Sequence, residues 1–363
     1  MKRIYFDHNA MSPIRPQALT AMMKILAQVG NPSSVHWYGR KAHHGLEEAR
    51  ETIAQLFKVT ASRCLFTASC TEANNMVLRG SGCQQIAISA TEHESVKAVV
   101  SSAHVIPVDQ QGVIDLNYLE QFLKKQLAKT LVSVMMANSE TGVIQPIDDI
   151  AALCQRFNAL LHTDATQAIG RIPLTNQKID FLTFSSHKIG GPVGCGAIIT
   201  GSGEEIAPLI KGGGQERGRR AGTENVAAVT GFAVAASQAF AEQAELYIRL
   251  KQWRDEIEEY LLQSNTEILI HGKGADRIPN TSCFSMPHIT GMQQLIRLDL
   301  AGIAVSSGSA CSSGKVKESA VLKAMGVPAA HVGGALRLSF GWDTTHREVS
   351  DFISVWEGLY PRI

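Results

Sequence analysis

Residues 131–165 read LVSVMMANSETGVIQPIDDIAALCQRFNALLHTDA, in which two apolar, β-rich runs flank a segment of helical pattern. The same alternation extends from about residue 60 to residue 200. Strands separated by helices need crossover connections, which are typical of a largely parallel sheet covered on both faces, so the sequence predicts an α/β fold. The expected strands are CLFTA (64–68), QIAISA (85–90), HVIPV (104–108), LVSVMMA (131–137), ALLHTDA (159–165), FLTFSS (181–186) and CGAIIT (195–200).

A second, smaller lobe is predicted beyond a long helical segment. From Glu224 to about residue 263 the sequence is helical in composition and changes from alanine-rich to charged. A helix of that length commonly bridges two lobes. The runs that follow (EILIHG, TSCFSM, MQQLIRLDL, VLKAMGV, ALRLSFG and a final helix from about His346) predict a compact α+β lobe.

The composition excludes several classes of partner. The 363 residues carry a formal net charge of +1 and no long basic stripe, so nucleic acid is not the expected ligand. No stretch of about 20 apolar residues indicates a membrane span, and the start, MKRIYFDHNA, lacks the apolar core of a signal peptide. We therefore expect a cytoplasmic location.

The seven cysteines are scattered and never form CxxC, which argues against a zinc site or a disulfide framework. No metal is predicted. Most of these thiols lie in apolar runs and are expected to be buried and inert. Cys311 is the exception, because it lies in SSGSACSSG at 306–314, a run of small residues that we expect to be poorly ordered.

The residues that best define a reaction lie in HTDATQAIG and in the segment that begins FSSHKIGG. Asp164 and Gln167 come at the end of one expected strand, and Lys188 follows the next. Taken singly, the carboxylate could cap a helix and the lysine could be a solvated surface charge. Taken together, a lysine able to form a Schiff base and a carboxylate able to pair with a pyridinium nitrogen are what pyridoxal phosphate requires.

Two segments offer a site for the phosphate. In SCTEANN, Thr71 lies where a strand turns into a helix, and the positive end of a helix attracts anions. The second segment, GGGQERGRRAGTEN (212–225), is rich in glycine and ends near Thr223. Both threonines could instead be simple helix caps, and capping is compatible with phosphate binding.

His93 and Arg337 are further candidates with open alternatives. His93 follows the expected strand QIAISA and could stack on a flat ring, shuttle protons or be purely structural. Arg337 lies in the apolar run ALRLSFG, where a buried guanidinium needs a partner. That partner could be a substrate carboxylate or an internal Asp or Glu.

The chain resembles the cysteine desulfurases of the class V aminotransferase group, in the branch with the string SSGSAC. The motifs that carry the resemblance occur in order along almost the whole chain: YFDHNA, GNPSSVHWYGR, FTASCTEANN, TEHESV, ANSETGVIQPI, HTDATQAIG, SSHKIGGPVG, GGGQERGRRAGTEN, SSGSACSSG and LRLSFG. The resemblance implies the type I fold of pyridoxal-phosphate-dependent transferases, with a mostly parallel seven-stranded sheet. It implies a large cofactor-binding domain at 13–250, a small domain formed by 1–12 and 251–363, and a homodimer.

The resemblance also implies roles for individual residues. Lys188 corresponds to the Schiff-base lysine, Cys311 to the sulfur-accepting thiol and His93 to a ring-stacking histidine that is also a candidate acid or base. Arg337 and Asn138 fall where the substrate is bound. The remaining positions match contacts to the cofactor: the pyridine nitrogen (Asp164), the phenolic oxygen (Gln167, Asn138, Ser139), and the phosphate (Cys70, Thr71, Ser185, Ser186, His187, and Thr223 from the other subunit).

The implied reaction converts L-cysteine to L-alanine. The Cys311 thiolate attacks the substrate's sulfur and keeps it as a persulfide, which an acceptor protein collects for iron–sulfur cluster assembly or tRNA thiolation. One alternative is a selenocysteine lyase or a related lyase of the same fold. Another is a sulfur-relay or regulatory protein of low turnover, prompted by Ser139 where the family commonly has asparagine and by Ser69-Cys70 in place of Gly-Ala.

Overall fold

A mostly parallel sheet forms the larger part of the fold in the computed structural model, which describes residues 3–174, 178–201, 203–307 and 318–360. Each of the seven expected strand segments overlaps one strand of this sheet, so the prediction of an α/β fold is confirmed. In chain order the described strands are β1 (Ile4–Tyr5), β2 (Cys64–Thr67), β3 (Gln85–Ser89), β4 (His104–Ile106), β5 (Thr130–Ser133), β6 (Leu160–Asp164), β7 (Phe181–Ser185), β8 (Gly196–Thr200), β9 (Leu269–Ile270), β10 (Thr281–Ser285), β11 (Ile303–Ala304), β12 (Ser306–Ser307) and β13 (Ala335–Ser339).

The large sheet has the order β2-β8-β7-β6-β5-β3-β4. Within it β8 runs antiparallel to both β2 and β7, whereas the remaining neighbours are parallel. Parallel strands need crossovers, which the helices supply. The described helices are α1 (Pro16–Leu26), α2 (Trp37–Leu56), α3 (Cys70–Gly80), α4 (Glu94–Lys97), α5 (Leu116–Leu123), α6 (Ile147–Arg156), α7 (Val226–Ser264), α8 (Gly291–Leu300), α9 (Ala320–Ala324), α10 (Ala329–Val332) and α11 (His346–Leu359).

The sheet has an apolar layer on each face, as expected for strands with continuous hydrophobic runs. Leu182 and Phe184 of β7 pack in one layer with residues of α2, α5, α6 and α7. Phe181 of the same strand packs in the other layer, against residues of α3. All five residues of β7 are buried, so packing on both faces fixes the position of its carboxyl end, which leads into Ser186–Lys188.

Helix α7 joins the two lobes, as its length predicted. Its first half, from Ala228 to Ala239, belongs to the core on the large sheet. Its second half, from Leu246 to Leu261, belongs to a separate core with α11 and the small sheet. A single helix therefore fixes the relative position of both cores.

The small lobe contains an antiparallel sheet of order β12-β13-β10-β9. The N-terminal strand β1 pairs with β11, and Ile4 and Phe6 are buried in this lobe's core. The domain limits at residues 12 and 250 remain a prediction. None of the described helices has both the length and the apolar character that crossing a membrane needs.

Candidate active site

Two neighbouring strands end in the residues that the sequence singled out. Asp164 is the last residue of β6 and pairs in register with Thr183 of β7. Strand β7 ends at Ser185, and the chain continues directly into a 3-10 turn, Ser186–Lys188. The sheet therefore brings Asp164 and Lys188 to the same edge, at the carboxyl ends of adjacent parallel strands, where α/β folds bind their ligands.

The Lys188 side chain contacts the N-terminal segment of the chain at Asn9 and Ala10. Its Nζ donates hydrogen bonds to the backbone oxygens of Asn9, at 2.6 Å, and Ala10, at 2.7 Å. The Lys188 carbonyl accepts from Arg171 Nη2 and from Ser12 Oγ, each at 3.2 Å. Lys188 is half-buried, and two neutral carbonyls accept from its amine.

The Asp164 carboxylate is buried, at 7% exposure, and accepts from two neutral groups. Oδ1 accepts from the backbone N–H of Thr166 at 3.0 Å, and Oδ2 accepts from Asn74 Nδ2 at 2.8 Å. Within the described residues no Lys, Arg or His forms an ion pair with it. A buried carboxylate is costly unless a cation accompanies it, so this position fits a protonated ring nitrogen.

The start of α3 lies beside the end of β7. The Cys70 backbone N–H donates to Ser185 Oγ at 2.9 Å, and Ser69 caps the helix by accepting from the Glu72 backbone N–H at 3.1 Å. Thr71 is the second residue of the helix and is exposed. Gly196 of β8 is required here, because a Cβ would come within 2.7 Å of the Ser69 carbonyl carbon.

This corner of the site fits a phosphate. A helix start with its N–H groups and partial positive charge attracts anions, and Ser185 and Thr71 add hydroxyl donors. Ser186 Oγ is fully buried and has no hydrogen-bond partner among the described residues. Burial raises the pKa of the Cys70 thiol well above its usual value, so this cysteine stays neutral beside the anion site.

The half-buried His187 and the buried Arg171 are basic groups near the same edge. Burial, with a further contribution from Lys188, lowers the pKa of His187 to about 4, so its imidazole is neutral near pH 7. Arg171 donates from Nη1 to Asn9 Oδ1 at 2.8 Å and to Gln167 Oε1. Gln167 Nε2 donates in turn to the Asn9 carbonyl at 3.1 Å. Gln167 thus lies between a buried cation and the segment that covers Lys188.

His93 follows strand β3 and the 138–139 loop follows strand β5, so both come after the carboxyl ends of parallel strands in the same sheet. His93 is the N-cap of α4, and its Nδ1 accepts from the Ser95 backbone N–H at 3.1 Å. Asn138 uses its amide within the protein: Oδ1 accepts from the backbone N–H groups of Glu140 and Thr141, each at 2.9 Å, and Nδ2 donates to the Thr91 carbonyl at 3.1 Å. Contact of Asn138 with a cofactor or substrate stays a prediction.

Arg337 reaches the site from strand β13 of the small lobe. It is 3% exposed; Nη2 donates to Asp7 Oδ1 at 2.7 Å and Nη1 to the Ser139 carbonyl at 3.1 Å. Its Nε is buried without a partner among the described residues. Of the two alternatives left open, the internal acid is therefore present, as Asp7.

Glu140 is a site residue that the sequence reasoning missed. Its Oε2 accepts from Ser319 Oγ at 2.5 Å, which joins the 138–142 loop to the start of α9. Burial raises the pKa of Glu140 to about 7, against the opposing effects of Ser319 and Arg337. Asn9, Asn74 and Arg171 were also missed. One feature of the sequence could have indicated Asn74: it is a polar residue on the face of α3 whose other buried residues are apolar.

Two expected site residues are not placed with the others. Thr223 is exposed on the segment before α7 and makes no hydrogen bond to another predicted site residue within the described parts of the chain. Cys311, together with the expectation that its segment is poorly ordered, lies outside the described residues. Free thiols in the described chain are Cys64, Cys70, Cys83, Cys154, Cys195 and Cys283.

A mostly parallel sheet with a lysine and a carboxylate at the ends of adjacent strands, joined by one long helix to a small α+β lobe, defines the type I fold of pyridoxal-phosphate-dependent transferases. The Aminotransferase class-V family profile matches residues 4–352, and the chain belongs to that family.

Relatives and solved structures agree with this membership over the full length. A "Cysteine desulfurase IscS" of Dictyoglomus turgidum is 35% identical, covering 100% of this chain and 96% of the relative. A "Cysteine desulfurase" of Cereibacter sphaeroides is 38% identical, covering 98% and 95%. The crystal structure of a NifS-like protein from Rickettsia africae superposes with a TM-score of 0.91 at 36% identity, covering 99% of both chains.

Proposed function

We propose that this protein is a cysteine desulfurase that converts L-cysteine to L-alanine and transfers the sulfur to Cys311 as a persulfide. The observation that carries the proposal is the position of Asp164 and Lys188 at the ends of adjacent strands, beside a helix start suited to phosphate. Full-length relatives named cysteine desulfurase support the choice of substrate. The acceptor belongs to iron–sulfur cluster assembly or tRNA thiolation in this proposal.

Pyridoxal phosphate is the proposed cofactor. When bound, it withdraws electrons from the substrate's Cα and so makes the Cα proton removable. Lys188 would hold it covalently, Asp164 would keep its ring nitrogen charged, and His93 would cover the ring. Gln167, Asn138 and Ser139 would contact the phenolic oxygen; the phosphate would be bound by Cys70, Thr71, Ser185, Ser186 and His187, with Thr223 of a second subunit.

The chain's own side chains supply substrate binding and proton transfer. Arg337 has an unpartnered buried Nε and a guanidinium fork that suits a carboxylate, so it would orient the substrate's carboxylate. The Lys188 amine, once released by the substrate, would be the base that removes the proton from the substrate's Cα. The carbonyls of Asn9 and Ala10, which accept from Nζ, keep that amine in place.

Sulfur transfer needs the thiolate of Cys311. The thiolate forms a new bond to the substrate's sulfur, and the bond from that sulfur to Cβ breaks. The electron pair of the broken bond stays with the substrate's carbon skeleton, which leaves as alanine after protonation. The persulfide then remains on the enzyme for an acceptor protein.

A homodimer is part of the proposal. Large apolar side chains are exposed on α1 and at the start of α2, where Met23 is 61% exposed, Leu26 69% and Trp37 59%. Large exposed apolar side chains are typical of an interface when they form one patch, and these lie on two consecutive helices of the chain. The exposed Thr223 fits a role in the site of a second copy better than in its own.

The test is turnover of L-cysteine by the purified protein loaded with pyridoxal phosphate, in the presence of a reductant. We expect alanine to accumulate over many turnovers with equal sulfide, and Lys188→Ala and Cys311→Ala to abolish both. Cys83→Ala, which changes a half-buried thiol outside the site, is the matched control and should keep full activity. Absence of alanine from the wild type would refute the proposal.

The same assay separates the alternatives. If Cys311→Ala loses desulfuration of cysteine but still releases selenium from selenocysteine, the lyase alternative is favoured. If alanine stops at one equivalent per subunit even with excess reductant, the low-turnover relay is favoured.

A further inference from the structure

A continuous chain of hydrogen bonds lies behind the candidate site and connects Asp164 to His93. Asn74, which is fully buried, is its branch point: Nδ2 donates to Asp164 Oδ2 at 2.8 Å and to Ser95 Oγ at 2.9 Å. Oδ1 of the same amide accepts from Thr183 Oγ1 at 2.5 Å. The Ser95 hydroxyl reaches His93 Nδ1 at 2.8 Å. One amide therefore contacts the carboxylate directly and the histidine through a single hydroxyl.

The direction of the bonds at His93 follows from the donors present. The Ser95 backbone N–H can only donate, so His93 Nδ1 accepts and carries no proton. The Ser95 hydroxyl must then donate to Nδ1 and accept from Asn74. A neutral His93 consequently keeps its proton on Nε2.

The direction at the other end is equally fixed. Thr183 gives its only hydroxyl proton to Asn74, so it accepts from His162 Nε2, which lies 3.1 Å away. His162 Nδ1 then accepts from Ser133 Oγ at 2.8 Å. Burial lowers the pKa of His162 to about 4, which agrees with a neutral ring in this chain. The Asn74 amide therefore cannot turn without breaking bonds on both sides.

We propose that Asn74 is a positioning residue: it fixes the position of the Asp164 carboxylate relative to the His93 ring, which it reaches through Ser95. This proposal rests on the proposed function. Asn74 touches neither substrate nor cofactor in this account. Near Asp164 the other titratable side chains, His162, Glu92 and Cys70, are buried. The Asn74 side chain joins the Asp164 carboxylate to the His93 ring through hydrogen bonds, directly on one side and through Ser95 on the other.

The two branches predict different defects. Asn74→Ala removes both branches, whereas Ser95→Ala removes only the branch to His93 and leaves Asp164 with its amide donor. We expect Asn74→Ala to lower kcat by about 10-fold or more, since a hydrogen bond to a charged group is lost. Ser95→Ala should lower kcat by about 2- to 10-fold, with KM for cysteine little changed in both.

The experiment uses the pyridoxal-phosphate-loaded full chain and reads kcat together with the visible absorption of the cofactor across pH. The pH midpoint of the absorption change should move in Asn74→Ala, because the carboxylate that faces the ring has lost a donor, and should not move in Ser95→Ala. The double variant should be no slower than Asn74→Ala alone, because both act through one path. Asn75→Ala is the matched control: it changes the next asparagine of α3, whose Nδ2 donates to the Thr71 carbonyl.

An unchanged midpoint and kcat in Asn74→Ala, or a double variant that shows the full product of both defects, would overturn the proposal. If Asn74→Ala does not fold, Thr183→Val tests the same link, because it keeps the volume and removes the hydroxyl that holds Asn74. A midpoint shift there supports the proposal, and its absence refutes it. A wild type that binds the cofactor but makes no alanine would instead refute the proposed function, independently of these comparisons.

Discussion

Replacing Arg337 with lysine tests whether this residue binds the substrate's carboxylate. Lysine keeps the positive charge beside Asp7, which now accepts from Nη2 at 2.7 Å, but it loses the planar fork and the unpartnered Nε. One charge-assisted hydrogen bond contributes about 1.5–3 kcal/mol. Loss of one such bond to the substrate therefore lowers kcat/KM for L-cysteine by about 10- to 150-fold. Most of this effect should appear in KM, since the bond exists before and during the reaction.

The assay compares two ligands that differ at the carboxylate. kcat/KM is measured for L-cysteine, and L-cysteine methyl ester, whose carboxylate is blocked, is measured as a competitive inhibitor. We expect Arg337→Lys to weaken the use of cysteine strongly and the binding of the ester little. Equal losses for both ligands, or no loss for cysteine, would refute a role in carboxylate binding.

Arg277→Lys is the matched control for this substitution. Arg277 is also a buried arginine in a carboxylate pair, with Nη1 and Nη2 at 2.7 and 2.8 Å from the two oxygens of Glu258. Its guanidinium hydrogen-bonds Glu258 and none of the predicted site residues among the described parts of the chain, so a change there tests the cost of disturbing a buried pair. Its kcat/KM for cysteine should stay at the wild-type value.

Three further substitutions test the electrostatics and packing of the fold. Because burial raises the pKa of Glu140 to about 7, the native state keeps a proton that the unfolded chain loses from about pH 4.5 upward. Stability therefore falls between these pH values, and Glu140→Gln should remove about 3 kcal/mol of that fall in urea unfolding. Arg50→Ala leaves the buried Glu216 carboxylate without its cation and should lower the free energy of unfolding by about 3–5 kcal/mol. Ser69→Ala removes the cap of α3 and should cost about 1 kcal/mol.

Each of these expectations has a result that contradicts it. An identical pH dependence of unfolding in wild type and Glu140→Gln would mean that this carboxyl titrates normally. The exposed pair of Arg347 with Asp351 is the control for Arg50, and Arg347→Ala should change stability by less than about 0.5 kcal/mol. Equal losses for the two arginines, or an unchanged melting temperature in Ser69→Ala, would contradict the burial and capping arguments.

Local pattern was sufficient for the strands and for the long helix. Each expected strand is an apolar run bounded by polar or turn residues, and parallel strands buried on both faces are that kind of segment. Asp164 and Lys188 could be paired in advance because the ends of adjacent parallel strands share one edge. The bridging role of α7 followed from its length and its change of composition.

The missed residues depend on contacts between distant parts of the chain. Asn9 contacts Lys188, Gln167 and Arg171, whose sequence separations exceed 150 residues, so no local pattern reveals the contact. The pairing of Arg337 with Asp7 likewise requires β1 and β13 to lie in one lobe. Hydrogen-bond partners of buried polar groups are set by packing, which a sequence motif does not encode.

In the proposed reaction, Cys311 accepts the sulfur of L-cysteine after Lys188 has removed the Cα proton of the substrate. The most direct measurement is the mass of the Cys311 peptide after the cofactor-loaded protein meets one equivalent of L-cysteine without reductant. We predict the gain of a single sulfur atom on that peptide, one alanine per sulfur, and neither product in Lys188→Ala. Alanine released with no sulfur on the Cys311 peptide, or sulfur on another cysteine in its place, would contradict the account.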